Sequence, residues 1–474
     1  MSLKITVIGA GPGGYVSAIR AAQQGGDVTL VEQDRVGGTC LHWGCIPSKV
    51  MKTTAELLEK VKRSREFGIA LNGSAEADMK ALMTRKERVI DHQVKGITNL
   101  LQQNKIRLIQ GRGIIKAMNQ IEAKTDSGEI VPLTWDRLIL ALGSKARELP
   151  AFPFDGRTIL SSNDGLAMEE VPRSLLILGG GVIGCEFAFI FSSLGSQVTL
   201  VEAMPRLLPL PSVDEDCSIL IEREMKKHKI PFMLNKTVQH INGEGGGVRV
   251  TLEDVGGLRD RKREPLSLDV EKVLVCIGRK ACIEGIGLER IGVRMDSQGW
   301  IETTERMETS TPHVYAIGDA LGPAKVMLAH VAAKEGTVAA DNAMGGMTAM
   351  DYRAVPGVIF TMPEVGNVGM TEGQAREAGL PVRAVKVLFR NLGKPHVMGE
   401  IAGEVKIVAH AEDGRVLGMH VVGPHASDLI AEGTLAVKLG CTTRELADTI
   451  HAHPTLSEVI GEAALKAIDR PLHG

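Results

Sequence analysis

Two stretches of this chain carry the same sequence of apolar and polar blocks. From Ile5 to Ile8 the residues are mostly apolar; a glycine-rich turn follows, then apolar residues at helical spacing, then a second apolar run ending on Glu32. Residues 175–203 repeat the pattern: Gly179 lies 170 residues after Gly9, and VTLVE stands unchanged at 28–32 and 198–202. Short apolar runs punctuated by glycine predict buried strands, and their alternation with helical spacing predicts parallel βαβ units. Residues 51–104, rich in Glu, Lys, Leu and Met at helical spacing, predict long exposed helices. A polar β-rich stretch follows and ends in LILALGS (138–144), and a hairpin is expected around 243–263. From Tyr352 onward the pattern turns to alternating strands, such as EVKIVAH and VLGMHVVG, with helices between them.

Each repeat has the parts of a dinucleotide-binding fingerprint, so two dinucleotides are expected. In the first, Gly9 permits the tight turn, Gly11 lets a pyrophosphate approach the backbone, and Gly14 lets the helix pack on its strand. The helix N-terminus offers unpaired N–H groups to phosphate, and Glu32 is placed to accept ribose hydroxyls. Gly179, Gly181, Gly184 and Glu202 take these roles in the second copy. An acid at 202 favours NAD over NADP, since a 2′-phosphate would be repelled there. Arg206 stands close enough to leave NADP open.

The bulk composition narrows the partners. Length alone suggests about three domains. With 55 basic and 57 acidic residues, the formal charge of −2 leaves no electrostatic footprint for nucleic acid. The basic run at 259–263 is interrupted by Asp260 and reads as a solvated hairpin tip. No stretch of 18 uninterrupted apolar residues argues for a membrane span. The first strand begins by residue 4, so no targeting segment is expected before the fold; the cytoplasm is the expected compartment, or an organelle matrix after loss of a presequence.

Seven scattered cysteines do not describe a disulfide-stapled secreted protein. Cys185, Cys217, Cys276, Cys282 and Cys441 read as small core residues. Cys40 and Cys45, in GGTCLHWGCIPSK (37–49), are different. A metal site would need more ligands than His42 supplies, so no metal centre is expected. Two unrelated buried thiols remain the plain alternative, but a redox-cycling disulfide explains the pair better. The four intervening residues make about one helical turn and would bring both sulfurs to one face, with Pro47 disturbing that helix just beyond.

The cysteine segment resembles the active-site motif of the flavin-dependent pyridine nucleotide–disulfide oxidoreductases, and the resemblance extends along the chain. TPHVYAIGDA (311–320) is similar to the family's second FAD motif, VLVCIGRK (273–280) to the strand returning from the NAD domain, and HAHPTLSE (451–458) to the C-terminal catalytic signature. The family implies an α/β fold of two Rossmann-like domains, for FAD and NAD, with a C-terminal α+β dimerisation domain. The boundaries fall at 1–149 and 272–345 for FAD, 150–271 for NAD, and 346–474 for dimerisation. The family further implies Cys40 as the interchange thiol and Cys45 as the sulfur against the flavin. Lys49 would sit near the flavin and pair with Glu186, Asp319 would bind the ribityl chain, and Gly143 and Gly278 would serve the FAD and NAD sites. His453, held by Glu458, would be the acid–base, reaching the cysteines of the partner in a homodimer. Without the cysteines, His451 and His453 would read as a polar loop or a chance metal pair. The implied reaction is oxidation of a lipoyl-carrier dithiol with reduction of NAD, the carrier belonging to a 2-oxoacid dehydrogenase or related complex. A related reductase for another disulfide, or a non-catalytic flavoprotein subunit that docks lipoylated carriers, are the alternatives.

Three departures bear on substrate. His42-Trp43 stands where the family usually has Asn-Val; Trp43 is expected to pack, and the alternative is that His42 tunes a thiolate by charge. Ala141-Leu142-Gly143 lacks the threonine of the family's ATG motif. Residues 390–398 read RNLGKPHVM where Asn-Arg-Ala is commoner.

Overall fold

The computed structural model describes residues 2–244, 247–255 and 266–473. They group into two compact units: residues 1–51, 78–147 and 278–351, and residues 52–77, 148–277 and 352–474.

The first unit is built on a five-stranded parallel sheet. Its central strand β1 (Lys4–Ile8) pairs with β2 (Asp27–Glu32) on one side and with Arg137–Leu140 on the other; Arg107–Gln110 and Val314–Ala316 form the edges. Ile5, Val7, Leu30, Leu138 and Ile139 are wholly buried, as a parallel sheet covered on both faces requires. Helix α1 (Pro12–Gln23) makes the β1–β2 crossover and packs along helix Ala329–Ala343. The two helices approach so closely that a Cβ on Gly336 would stand 2.5 Å from the Gly13 carbonyl oxygen, which accounts for the small residues of both. A short helix α2 (Gly38–His42) precedes the helices expected over 51–104, which are α3 (Cys45–Lys62), whose residues from Lys52 on belong to the second unit, and the 25-residue helix Met79–Gln103. The polar stretch after them forms the antiparallel sheet Arg112–Ala117, Gln120–Lys124 and Ile130–Thr134.

The second unit repeats the parallel theme. Strand Ser174–Leu178 pairs with Gln197–Val201 and Lys272–Val275, in the register of the first copy: Leu175 opposes Val198 as Ile5 opposes Val28. Beside this sheet, Lys236–Glu244, Gly247–Asp254 and Leu266–Val270 pair antiparallel. The hairpin expected around 243–263 falls partly outside the described residues, and so does all of its basic run 259–263. The third sheet, order Gly357–Ile359, Glu364–Gly369, Val416–Gly423, Glu404–His410, Val382–Leu388, is antiparallel throughout.

Six of the seven residues of the expected strand EVKIVAH are buried, Glu404 and Lys406 among them. The reason is electrostatic cover. Lys406 Nζ reaches Asp214, Asp216 and Glu372 at 2.9, 2.7 and 2.7 Å, so the strand's polar face is sealed by ion pairs rather than water.

Candidate active site

The two glycine loops differ in what each glycine does. Gly9 and Gly179 have φ of +100° and +104°, and a Cβ on either would stand 2.2 or 2.4 Å from the carbonyl oxygen of Ala141 or Cys276. Only glycine suits such positions. A Cβ on Gly14 or Gly184 would come within 1.8 Å of the carbonyl oxygen of Gly9 or Gly179, so the first turn of each helix rests on its own loop. Gly11 and Gly181 are another matter. Their backbones (φ −66° and −74°) suit any residue. A Cβ on Gly181 would meet nothing within 4 Å, and one on Gly11 only the Gly38 Cα at 4.0 Å. Nothing among the described residues demands glycine at these two places, whereas a pyrophosphate lying on the helix N-terminus would.

The acids after the second strands are duplicated to the atom. Glu32 Oε2 accepts the Ala10 N–H at 2.6 Å and Oε1 the Asp34 N–H at 2.8 Å. Glu202 Oε2 accepts the Gly180 N–H at 2.5 Å and Oε1 the Met204 N–H at 2.7 Å. Both carboxylates are buried. Burial raises the Glu32 carboxyl above its ordinary range, with the backbone N–H groups opposing. Each oxygen keeps a second lone pair for a ribose hydroxyl. Arg206 does not compete at the second loop: its guanidinium donates to Ser218 Oγ (2.6 Å) and to the Leu210 and Val213 carbonyls (both 3.1 Å).

A cleft of the first unit gathers Gly11, Glu32, Cys40, Cys45, Gly143 and Asp319 along its walls. The cysteines do not share one helical turn. α2 stops at His42, Trp43 and Gly44 interrupt, and α3 starts at Cys45 with the Ser48 N–H on the Gly44 carbonyl (3.1 Å). Pro47 thus lies in the first turn of α3, where a missing N–H costs nothing, and it helps start the helix rather than disturb it. The break still brings the sulfurs together: both are thiols in hydrogen-bonding contact. The Cys40 thiol is pushed far up by that bond to Cys45, by burial and by the Cys45 charge; the Lys49 ammonium opposes the rise and Asp319 adds to it. Such a pair gives up a first proton far more easily than a second. His42 is buried, with Nε2 on the Val36 carbonyl at 2.9 Å. Trp43, expected to pack, stays 38% exposed on the wall of the cleft that Leu142 also lines.

Sequence reasoning missed the support of Asp319. The Ser144 hydroxyl donates to Asp319 Oδ2 at 2.6 Å and accepts Arg279 Nε–H at 2.6 Å, while Arg279 Nη2 donates to the Ser144 carbonyl at 2.7 Å. Strands Ser144–Ala146 and Arg279–Ala281 pair antiparallel and bring these residues together. The signal was present in the residues following ALG and CIG. Gly278 opens the second of these strands with φ +110°, its carbonyl taking the Arg147 N–H. Cys282, read as a core residue, is half-exposed on the same cleft and donates its N–H to Gly143 (3.1 Å).

In the second unit, Glu186 is buried on helix Val182–Leu194 and accepts the Phe360 N–H at 3.0 Å. His453 Nδ1 lies 2.8 Å from Glu458 Oε1, and Glu458 Oε2 accepts the Thr455 N–H at 2.8 Å. The imidazole is 77% exposed, so its far nitrogen is open to a reactant. His451 is instead committed to Glu432 at 2.9 Å.

Two family models match the chain: pyridine nucleotide-disulphide oxidoreductase over residues 3–336 and the dimerisation domain of that family over residues 355–464. The chain is 42% identical to the dihydrolipoyl dehydrogenase of Chlamydia muridarum, covering 98% of this chain and 97% of that one. It is 38% identical to that of Geobacillus stearothermophilus, covering 98% and 96%. Among solved structures, LpdA from Mycobacterium tuberculosis superposes with a TM-score of 0.89 at 27% identity, over 98% of this chain and 99% of that one. The Cu(II) complex of the flavoprotein disulfide reductase RclA from Escherichia coli, at 24% identity, shares the fold (TM-score 0.85, over 98% and 99%).

Proposed function

Because the chain belongs to the pyridine nucleotide-disulphide oxidoreductase family, we infer that it oxidises dihydrolipoamide to lipoamide with FAD and NAD, as its curated relatives' shared name describes. The observation that carries this reading is the cleft itself, where two thiols in contact share walls with Gly11, Glu32 and Asp319. Residues 1–149 and 272–345 hold FAD in this reading, 150–271 hold NAD, and 346–474 dimerise. No helix among the described residues is long and apolar enough to cross a membrane, and the reading places the enzyme in the cytoplasm, serving lipoylated carrier proteins.

The residues divide the work as follows. A substrate thiolate attacks Cys40 Sγ of the oxidised pair, the Cys40–Cys45 bond breaks, and Cys45 leaves as thiolate. The second substrate sulfur then displaces Cys40, closing the lipoyl ring, so two electrons have passed to the cysteine pair. His453 of the partner protomer takes the proton of the attacking thiol, and Glu458 fixes its tautomer and stabilises the imidazolium. Lys49 favours the thiolate that remains. Bound FAD supplies the acceptor for that electron pair and bound NAD the final hydride acceptor. Gly11 and Gly181 leave room for the two pyrophosphates, and Glu32 and Glu202 hold the loops that receive them.

The test is NADH formation from NAD and dihydrolipoamide, with NADP in parallel. Turnover with NAD alone is expected. Reduction of the flavin by NADH without dithiol turnover would refute the substrate and direct attention to His42-Trp43 and residues 390–398.

A further inference from the structure

The helix Glu458–Ala467 carries two histidine–glutamate pairs built alike. In the first, Glu458 spans His453 Nδ1 and the Thr455 N–H. One turn on, Glu462 Oε1 meets His473 Nδ1 at 2.8 Å, while Oε2 accepts the N–H groups of His473 (2.9 Å) and Leu472 (3.3 Å). Residues four apart share a helix face, and the segment after the helix doubles back to seat His473 on Glu462, one turn from Glu458. The Glu462 side chain is only 8% exposed, and a buried anion requires a partner. Burial alone would raise the Glu458 carboxyl, but the Thr455 N–H, the His453 bond and charge, and the His473 charge together hold it below the usual range.

We infer that His473 is a positioning residue for the acid–base His453: by pairing with Glu462 it leaves the dyad to work against one carboxylate instead of two. This rests on the assignment of His453 and Glu458 to proton transfer. The neighbouring charges have partners of their own. Arg383, on the strand packed against the helix, holds Asp469; Lys406, on the next strand, holds Asp214, Asp216 and Glu372; and His410 holds Asp413. Lys386 holds Asp216, His451 holds Glu432, and Glu445 caps its own helix at Thr442. Arg444 and Asp448 complete the charged set on that last helix, which also packs against Glu458–Ala467.

The experiment is the pH profile of kcat/KM for dihydrolipoamide in holoenzyme carrying His473→Gln, Glu462→Gln or both. An uncompensated Glu462 favours the protonated imidazole, so His473→Gln moves the acid limb to higher pH by about half a unit. Glu462→Gln removes the carboxylate and moves the limb the other way, and the double variant returns to the parent profile. A segment that only tethers the helix would lower Tm and leave all the limbs superimposed, which overturns the inference. His453→Gln serves as the control. Retained dithiol oxidation there refutes the dyad itself and this inference with it; lost oxidation with unmoved limbs refutes the inference alone.

Discussion

Replacing Ser144 by alanine removes one hydroxyl and disturbs two charged groups. That hydroxyl is buried, donates to Asp319 and accepts from Arg279, each at 2.6 Å. A hydrogen bond to a charged group contributes about 1.5–3 kcal/mol, so two of them set the upper bound. Part is recoverable, because Arg279 Nε stands only 3.8 Å from Asp319 and can close on it, and because Asp319 is 27% exposed to water. About 2 kcal/mol should remain. If Asp319 binds the ribityl chain, that loss appears as roughly 30-fold weaker FAD binding. Apoprotein titrated with FAD, followed by flavin fluorescence, reads it directly, and Ser144→Thr should restore most of the affinity by restoring the hydroxyl. Equal FAD affinity in the parent and the alanine variant would refute the relay and leave Asp319 positioned by its backbone alone.

The glycine argument separates two neighbouring substitutions. Gly181→Ala should leave Tm unchanged but raise the KM for NAD at least tenfold, whereas Gly184→Ala should cost about 1–3 kcal/mol of stability through its contact with Gly179; equal Tm values for the two would contradict it. Lys406→Met leaves the buried Asp214 without its cation, while Asp216 keeps Lys386 and Glu372 keeps Arg376, and should cost about 3 kcal/mol in denaturant unfolding. Asp214, Asp216 and Glu372 are all held below their ordinary range by that cluster, against the burial that raises them. Their contribution is therefore present above the unfolded carboxylate values, about pH 4, and lost as pH falls through the folded ones. On acidification, the stability of the Lys406→Met variant should thus fall less steeply with pH than the parent's, and parallel curves would contradict the cluster's role. Dilution below the dimer's dissociation constant should abolish dithiol oxidation while NADH still bleaches the flavin; an active monomer would sink the shared site.

The repeated fingerprint was legible because its first and last glycines answer local constraints, a positive φ at Gly9 and a backbone contact at Gly14, that leave their mark at a fixed spacing. The Cys40–Cys45 juxtaposition was legible as chemistry but not as geometry: a helical turn and two helices broken at Gly44 both bring the sulfurs together. The burial of Lys406 on strand Glu404–His410 was not legible, because Asp214, Asp216 and Glu372 arrive from distant sequence to cover it. The relay of Ser144 and Arg279 was hidden for the same reason, since 135 residues separate partners that only the fold makes adjacent. Arg206 could be weighed as a phosphate ligand until its hydrogen bonds to Ser218, Leu210 and Val213 accounted for it.

Glu202 carries a consequence for redesign. A protein engineer who wanted this enzyme to accept a phosphorylated coenzyme would begin by neutralising that acid, since its charge opposes the added phosphate. Yet each of its oxygens also holds a backbone N–H, one from Gly180 and one from Met204. The same substitution would release the glycine turn at Gly180 and the segment at Met204 together. A successful switch must therefore graft a replacement loop along with the new side chain, so coenzyme preference here is inherited as a block and not residue by residue.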